Sequence, residues 1–284
     1  MEIFLDCLPC MLRQVLEASR MATDKPELQE KIIEESIRIL SDYKKYRCSP
    51  DMGRAIHQTV KKHTGVSDPY ALIKDRDIKA AKKVYPLLIH FLQKKQNSLY
   101  WALKISAVGN IIDSAINNNV NIEDCIEKEL EKEFSTCDID MFENKLKTAK
   151  RLLIVGDNAG ETVFDRIIAE HLSQLEIIYT VRSEPIINDA NVKDAYDSGL
   201  GDYTKIISTG CNAPGAIPEE CSKEFLDLFN CVDIVISKGQ GNFEALSDCG
   251  RGIFFLLKAK CPIISQKLNV SLNDYVFKYN KKGC

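Results

Sequence analysis

The chain has 284 residues, of which 45% are hydrophobic and 28% are charged, and its formal net charge is −3. This length is enough for a sizeable core and two domains, and the composition is typical of globular proteins. The nearly balanced charge gives no reason to expect nucleic acid or an anionic membrane as a partner. No apolar run approaches the ~20 residues that a membrane-spanning helix needs.

The cysteines and the start of the sequence bear on the cellular compartment. The first 10 residues lack the basic lead and the long apolar segment of a secretory signal. The 11 cysteines are scattered and odd in number, so we expect reduced thiols and a cytoplasmic protein. Cys7 and Cys10 have zinc-ligand spacing without a second pair. The favoured interpretation is two small, buried apolar side chains, with a redox pair or a second metal site as alternatives.

Helical patterns fill the first half of the chain. The predicted helices cover residues 8–20, 26–46, 50–64, 69–96, 98–117, 122–134 and 138–149, with Ser135 and Thr136 in a connection. From Arg151 onward, short apolar runs alternate with helical segments. The predicted strands cover residues 152–155, 176–181, 205–208, 232–237 and 253–257. We therefore predict an α/β fold, with an all-helical domain over residues 1–145 and a three-layer α/β/α domain with a mostly parallel sheet over residues 146–284.

The turn after the first predicted strand carries polar side chains. It reads Gly156-Asp157-Asn158-Ala159-Gly160-Glu161 and leads into a helix that begins near Ala159 or Gly160. Ligands of open α/β sheets bind beyond the carboxyl ends of the strands. The carboxylate of Asp157 and the amide of Asn158 suit a hard cation, and the helix amides behind them suit an anion such as phosphate.

Two further polar loops follow predicted strands. Asp189 lies in the loop after residues 176–181, where a helix N-cap would be an equally common role for it. The third loop reads Lys238-Gly239-Gln240-Gly241-Asn242, in which the glycines permit close approach of a ligand and the lysine suits a phosphate oxygen. The loop matches neither the P-loop nor the dinucleotide fingerprint. Together the three loops favour Mg²⁺, Mn²⁺ or a similar hard ion, and phosphoryl chemistry.

At these loops the chain resembles the metal-dependent damage-control phosphatase family, in its cysteine-containing, mostly prokaryotic branch. The motifs are G-D-N-A-G-E at 156–161, R-x-x-P-x-x-N-D-A at 182–190 and K-G-Q-G-N-F-E at 238–244. The likeness extends to residues 7–14, 68–70, 109–113 and 256–262, and so to nearly the whole chain. The family fold is similar to a helical N-terminal domain joined to a three-layer α/β domain.

The resemblance implies a set of site residues. A divalent metal (Mg, Mn, Co or Ni) would be held by Asp157, Asn158 and Asp189, and Asp157 and Lys238 would be catalytic. Substrate phosphate would be bound by Lys238 and the turn after it. The implied substrate-binding residues are Asn110, Asp113, Gly239, Gln240, Gly241, Asn242 and Lys258. Lys260 lies on the same strand face as Lys258, and Arg182 receives no role.

The leading functional hypothesis is a metal-dependent phosphatase that hydrolyses small phosphorylated metabolites, such as sugar phosphates or damaged cofactor intermediates. An S-adenosylmethionine-dependent methyltransferase is an alternative, disfavoured because Asp157 and Asn158 suit a metal better than an adenosyl cofactor. A non-catalytic phosphate- or nucleotide-binding module is a third. Attack on phosphorus by water and attack by Asp157 itself are both compatible with the sequence. No pattern in the sequence predicts an oligomeric state.

Overall fold

The computed structural model describes residues 1–109 and 121–280. The helices are α1 (Cys7–Ala22), α2 (Pro26–Ser41), α3 (Ser49–Thr64), α4 (Ala71–Gln93), α5 (Ser98–Val108), α6 (Ile122–Leu130), α7 (Ile139–Leu146), α8 (Glu161–His171), α9 (Val192–Ser198), α10 (Lys223–Cys231), α11 (Gly239–Leu246) and α12 (Pro262–Leu268). The strands are β1 (Phe134–Cys137), β2 (Arg151–Val155), β3 (Glu176–Val181), β4 (Lys205–Ser208), β5 (Ile234–Lys238), β6 (Ile253–Lys258) and β7 (Tyr275–Asn280). Among the described residues, no helix is long and apolar enough to cross a membrane.

The strands form one sheet in the order β1-β7-β6-β5-β2-β3-β4, in which only β6 and β7 are antiparallel neighbours. From β2 the chain moves outward to β3 and β4, and β5 and β6 then add on the other side of β2. The connections that follow β2 and β5 therefore diverge. Such a divergence opens a crevice between the carboxyl ends of the two strands, which is where open α/β sheets bind ligands.

Both faces of the sheet are covered, because successive side chains of a strand point to opposite faces. On β2, Leu152 and Ile154 belong to a core shared with α4, α5 and α8. Leu153 and Val155 belong to a second core shared with α10, α11 and α12. The near-continuous apolar run of β2 reflects this burial on both sides, at about 1.5–3 kcal/mol for each fully buried aliphatic side chain. The predicted α/β fold with a mostly parallel sheet is confirmed.

A third core joins the first three helices. Met11 and Val15 of α1 pack with Ile32 of α2 and with Met52 and Ile56 of α3. By contrast, α4 and α5 pack on the sheet, although both precede residue 146. The division of the chain at residue 145 stays a prediction.

Two strands at one end of the sheet differ from the prediction. Ser135 and Thr136, predicted as a connection, lie in β1, and α6 ends at Leu130 instead of continuing to residue 134. Strand β7 is absent from the prediction. Of the four residues of β1 only Phe134 is buried, so an edge strand of this kind has no apolar pattern to reveal it. Its partner β7 lies about 140 positions further along the chain, beyond the reach of local pattern reading.

Candidate active site

The turns after β2 and β5 meet in the crevice between these strands. Gly239 has a φ of 76°, and a Cβ atom there would lie 2.0 Å from Asp157 Oδ2. Position 239 therefore requires glycine twice, for its backbone conformation and for the space that the carboxylate occupies. A Cβ atom at Gly241 would lie 1.9 Å from the carbonyl oxygen of Pro214, so this glycine permits a close backbone contact.

The loop after β3 joins the turn after β2. The backbone N–H of Ala190 donates to the carbonyl oxygen of Asp157 at 2.8 Å, and that of Ala159 donates to Asn188 at 2.9 Å. A single antiparallel bridge pairs Asn158 with Asp189. The structure thus brings together the three predicted metal ligands, which lie 31–32 positions apart in the two motifs. Asp189 does not cap a helix: Asn191 caps α9, in a capping box with Asp194.

The electrostatics of this group suit a cation. Burial raises the pKa of Asp157 above its usual value, and the neighbouring Asp189 raises it further. Burial likewise raises the pKa of Asp189, against the effect of Arg182. A divalent ion between the carboxylates would stabilise their charged forms. In the described part of the chain, no three His, Cys, Asp or Glu side chains are arranged to hold a metal, so an ion here would need the Asn158 amide as well.

Arg182 is the residue that the sequence interpretation missed. Its side chain is 1% exposed. Its Nε donates to Asp189 Oδ2 at 2.7 Å, and its Nη2 lies 3.8 Å from Asp157 Oδ1. The arginine therefore holds the two carboxylates side by side. An arginine directly after a buried strand and seven positions before Asp189 was the available signal, since a buried guanidinium requires a carboxylate partner.

Lys238 lies beneath the cavity, not in its wall. Its Nζ donates to Asp165 Oδ1 at 2.6 Å, to Glu161 Oε2 at 3.0 Å and to the carbonyl oxygen of Ser106 at 3.1 Å. The three donors of the ammonium group are thereby used, and the side chain is 1% exposed. Burial raises the pKa of Glu161 to about 7, although Lys238 opposes this shift. The structure therefore does not bring Lys238 to a position where it contacts a ligand in the cavity.

Asn242 and Gln240 hold the loops in place. Asn242 is fully buried; its Nδ2 donates to the carbonyl oxygens of Gly156 and Lys238 at 2.9 and 2.8 Å, and its Oδ1 accepts from the N–H of Ala216. This amide therefore ties the turn after β2 to the end of β5. Gln240 lines the cavity, and its Oε1 accepts from the backbone N–H of Lys260.

A cavity of about 620 Å³ opens above this group. Its wall contains the predicted ligands Asp157, Asn158 and Asp189, together with Gly239, Gln240, Gly241, Lys258 and Lys260. Lys258 Nζ donates to Glu129 Oε2 at 2.8 Å. Lys260 lies close enough to Asp157 to lower the pKa of its carboxyl group. The opposite wall comes from α1 and α3, and this volume is in the range of small-molecule sites.

The remaining predicted residues lie elsewhere. Cys7 and Cys10 line the opposite wall of the cavity; Cys7 is half-buried and Cys10 is exposed, so the prediction of a buried apolar pair is wrong. The reason is that the start of α1 borders the cavity instead of the helical core. Asn110 and Asp113 lie outside the described residues.

Comparisons with known proteins agree over nearly the whole chain. The model of the damage-control phosphatase ARMT1-like domain matches residues 3–276. A damage-control phosphatase of Pyrococcus horikoshii is 32% identical over 287 residues, which cover 99% of this chain and 99% of that protein. A damage-control phosphatase of Archaeoglobus fulgidus is 28% identical over 281 residues, covering 96% and 97%.

A solved structure gives the same result. The crystal structure of a DUF89 family protein from Pyrococcus horikoshii, 32% identical in sequence, matches with a TM-score of 0.90 over 99% of this chain and 100% of that chain. The predicted family resemblance is thereby confirmed, and the chain belongs to the damage-control phosphatase family with the ARMT1-like domain.

Proposed function

We propose that this chain is a metal-dependent phosphomonoester hydrolase of small phosphorylated metabolites, such as sugar phosphates or damaged cofactor intermediates, and that it acts in the cytoplasm. The observation that carries the proposal is the position of Asp157, Asn158 and Asp189 together in the wall of a cavity of metabolite size. The damage-control phosphatases among its relatives support a phosphatase activity.

The donor set fits a hard divalent ion. Asp157, Asn158 and Asp189 would hold Mg²⁺, Mn²⁺, Co²⁺ or Ni²⁺ through oxygen atoms, which these ions accept as ligands. When bound, such an ion supplies a Lewis acid that polarises a phosphoryl oxygen. Arg182 keeps the two carboxylates in place through its bond of 2.7 Å to Asp189 and its ion pair with Asp157.

The phosphate would lie between this group and the cations of the cavity wall. Lys260 and Lys258 both line the cavity, and Lys260 is near enough to influence Asp157. The Lys238 side chain does not cap the start of α11, so the first backbone amides of that helix are available to an anion. Lys258 and Lys260 thus replace Lys238 as the residues that we expect to contact phosphate.

The proposal is tested with purified protein and a panel of small phosphate esters. Phosphate release is measured with Mg²⁺, Mn²⁺, Co²⁺ or Ni²⁺ and again after treatment with a chelator. We expect metal-dependent release from at least one class of ester. A folded, metal-loaded preparation that hydrolyses no member of a broad panel would refute the proposal.

The same preparation separates the two alternative functions. Isothermal titration with S-adenosylmethionine should show no binding if the site is built for a metal and a phosphate. Binding of phosphate esters without any turnover would instead identify a non-catalytic module.

A further inference from the structure

Glu161 connects the buried side chain of Lys238 with the candidate metal ligand Asn158. It is the first residue of α8 and is 2% exposed. Its Oε1 accepts from Asn158 Nδ2 at 2.9 Å, and its Oε2 accepts from Lys238 Nζ at 3.0 Å. Each carboxylate oxygen of Glu161 therefore receives a different donor, one from the ligand loop and one from the buried ammonium group.

The orientation of the Asn158 amide decides whether this residue is able to bind a metal. The carbonyl oxygen of an amide is a metal ligand, whereas its NH₂ group is only a hydrogen-bond donor. Because Asn158 Nδ2 is bonded to Glu161, Oδ1 is the other arm of the amide. Within residues 1–109 and 121–280, Oδ1 accepts no hydrogen bond, so it is available to a cation.

We propose that Glu161 is a positioning residue that fixes the Asn158 amide with its oxygen available to the metal, and that Lys238 fixes Glu161 in turn. The inference rests on the proposed function, since it presupposes that Asn158 is a metal ligand. It assigns Lys238 an indirect role through Glu161, in place of direct contact with phosphate. Groups that orient metal ligands in this way contribute about 10- to 100-fold in metal affinity.

The geometry makes a specific demand on Glu161. Asn158 and Lys238 both donate to it, so both terminal atoms of residue 161 must be acceptors. A glutamine has one acceptor and one donor group. Its oxygen would bond to Lys238, because an unpaired buried ammonium is the more costly of the two losses. Its NH₂ group would then face Asn158, and the Asn158 amide would turn its own oxygen toward that donor and away from the metal.

The experiment measures Mn²⁺ binding by isothermal titration, independently of turnover. We expect Glu161→Gln to weaken Mn²⁺ binding by about 10- to 100-fold. The Asn158→Asp background is the decisive comparison, because a carboxylate presents an oxygen in either orientation. In that background the same Glu161→Gln change should not weaken Mn²⁺ binding, because the NH₂ group of the glutamine donates to one oxygen of the new carboxylate and leaves the other oxygen to the metal.

Glu170→Gln is the matched control. Glu170 lies on the same helix, accepts a hydrogen bond from Tyr85 and lies 3.5 Å from Arg166 Nη2, and glutamine keeps an acceptor oxygen for these donors. This variant should bind Mn²⁺ as the wild type does. Thermal unfolding of every variant establishes that the compared proteins are folded.

A second variant covers the case in which Glu161→Gln does not fold, because it replaces both partners of the buried Lys238–Glu161 ion pair, while Asp165 keeps its donors Ser106 and Tyr179. In Lys238→Met/Glu161→Gln no ammonium competes for the glutamine oxygen, which then accepts from Asn158, so Mn²⁺ affinity should be close to that of the wild type. If Glu161 and Lys238 only stabilise the fold, the double variant should instead bind Mn²⁺ more weakly than the wild type.

Three results would overturn the inference. The first is an unchanged Mn²⁺ affinity in folded Glu161→Gln. The second is an equal loss of Mn²⁺ affinity when Glu161→Gln is made in the wild type and in Asn158→Asp. The third is weak Mn²⁺ binding by Lys238→Met/Glu161→Gln. A wild-type protein that binds no divalent ion would instead refute the metal site of the proposed function, and the inference with it.

Discussion

Two groups of charged side chains lie one above the other at the centre of this molecule, and each contains two carboxylates and one cation. The lower group consists of Lys238, Glu161 and Asp165, in which the ammonium donates to three oxygen atoms at 2.6–3.1 Å. Tyr179 also donates to Asp165, at 2.6 Å. In this group the surplus negative charge is offset by donors from the protein itself.

The upper group, at the cavity, is less complete. Arg182 donates to Asp189, but its distance to Asp157 is 3.8 Å, and among the described residues no side chain donates a hydrogen bond to Asp157. Burial raises the pKa values of both aspartates. The difference indicates separate roles: the lower group stabilises the fold and supports the Asn158 amide through Glu161, whereas the upper group leaves carboxylate oxygens at the cavity open to a ligand. Substitutions in each group test these roles.

The largest effect is expected at Asp157. Asp157→Asn removes one carboxylate from the cavity while keeping its shape, so phosphatase activity should fall by about 10²- to 10³-fold with little change in thermal stability. Initial rates with a saturating metal, together with a thermal melt, measure the two effects. Asp202→Asn, at an exposed position, is the control and should retain full activity. Activity comparable to wild type in Asp157→Asn would place the site elsewhere.

Lys238→Met should act mainly on stability. Removing the ammonium leaves Glu161 and Asp165 buried without their cation, so the free energy of unfolding should fall by roughly 3–5 kcal/mol. Denaturant unfolding measures this loss, and Lys205→Met, at an exposed position of β4, should unfold near the wild-type midpoint. If Lys238→Met is as stable as the wild type but fails to bind phosphate, the lysine belongs to the cavity group after all.

The contrast between the two groups also shows what the sequence is able to predict. The loops at 156–161, 182–190 and 238–244 were identifiable as parts of one site, because the carboxyl ends of parallel strands lie at the same edge of the sheet. The direction of each side chain was not identifiable. Lys238 is the last residue of β5, and it points beneath the sheet edge because Glu161 and Asp165, one helical turn apart on α8, supply a buried acceptor pair. That pairing depends on how α8 packs, which no local pattern encodes.

His57 extends the comparison to a buried group in the helical core. Burial lowers its pKa to about 4, and among the described residues its Nε2 has no hydrogen-bond partner. The folded state thus holds the ring neutral while the unfolded chain takes up a proton below its ordinary pKa of about 6.5. This contribution to stability is complete above that pH and is lost as the pH falls toward 4, by on the order of 3 kcal/mol.

Unfolding of the wild type and of His57→Gln across this pH range measures the contribution. The variant should lack this part of the pH dependence, whatever its stability at neutral pH. His63→Gln is the control, because the His63 ring is hydrogen-bonded to Glu35 at 2.7 Å. This variant should keep the loss of stability at low pH that His57 causes. If the free energy of unfolding falls with pH equally steeply in the wild type and in His57→Gln, protonation of the His57 ring does not destabilise the folded state.

The smallest effects separate the two lysines of the cavity wall. Lys258 is already paired with Glu129 at 2.8 Å and lies over the ring of Tyr275, so its charge is largely used within the protein, as that of Lys238 is. Lys260 influences the carboxyl groups of both Asp157 and Glu161, which places its charge beside the upper group. Lys260→Gln should therefore raise KM for a phosphate ester about tenfold with a smaller change in kcat, whereas Lys258→Gln should raise it about twofold. Lys267→Gln, outside the cavity wall, should leave KM unchanged. If Lys258→Gln raises KM more than Lys260→Gln does, the phosphate lies nearer to Lys258 than to Lys260. The upper group would then contact the substrate through its metal ligands alone.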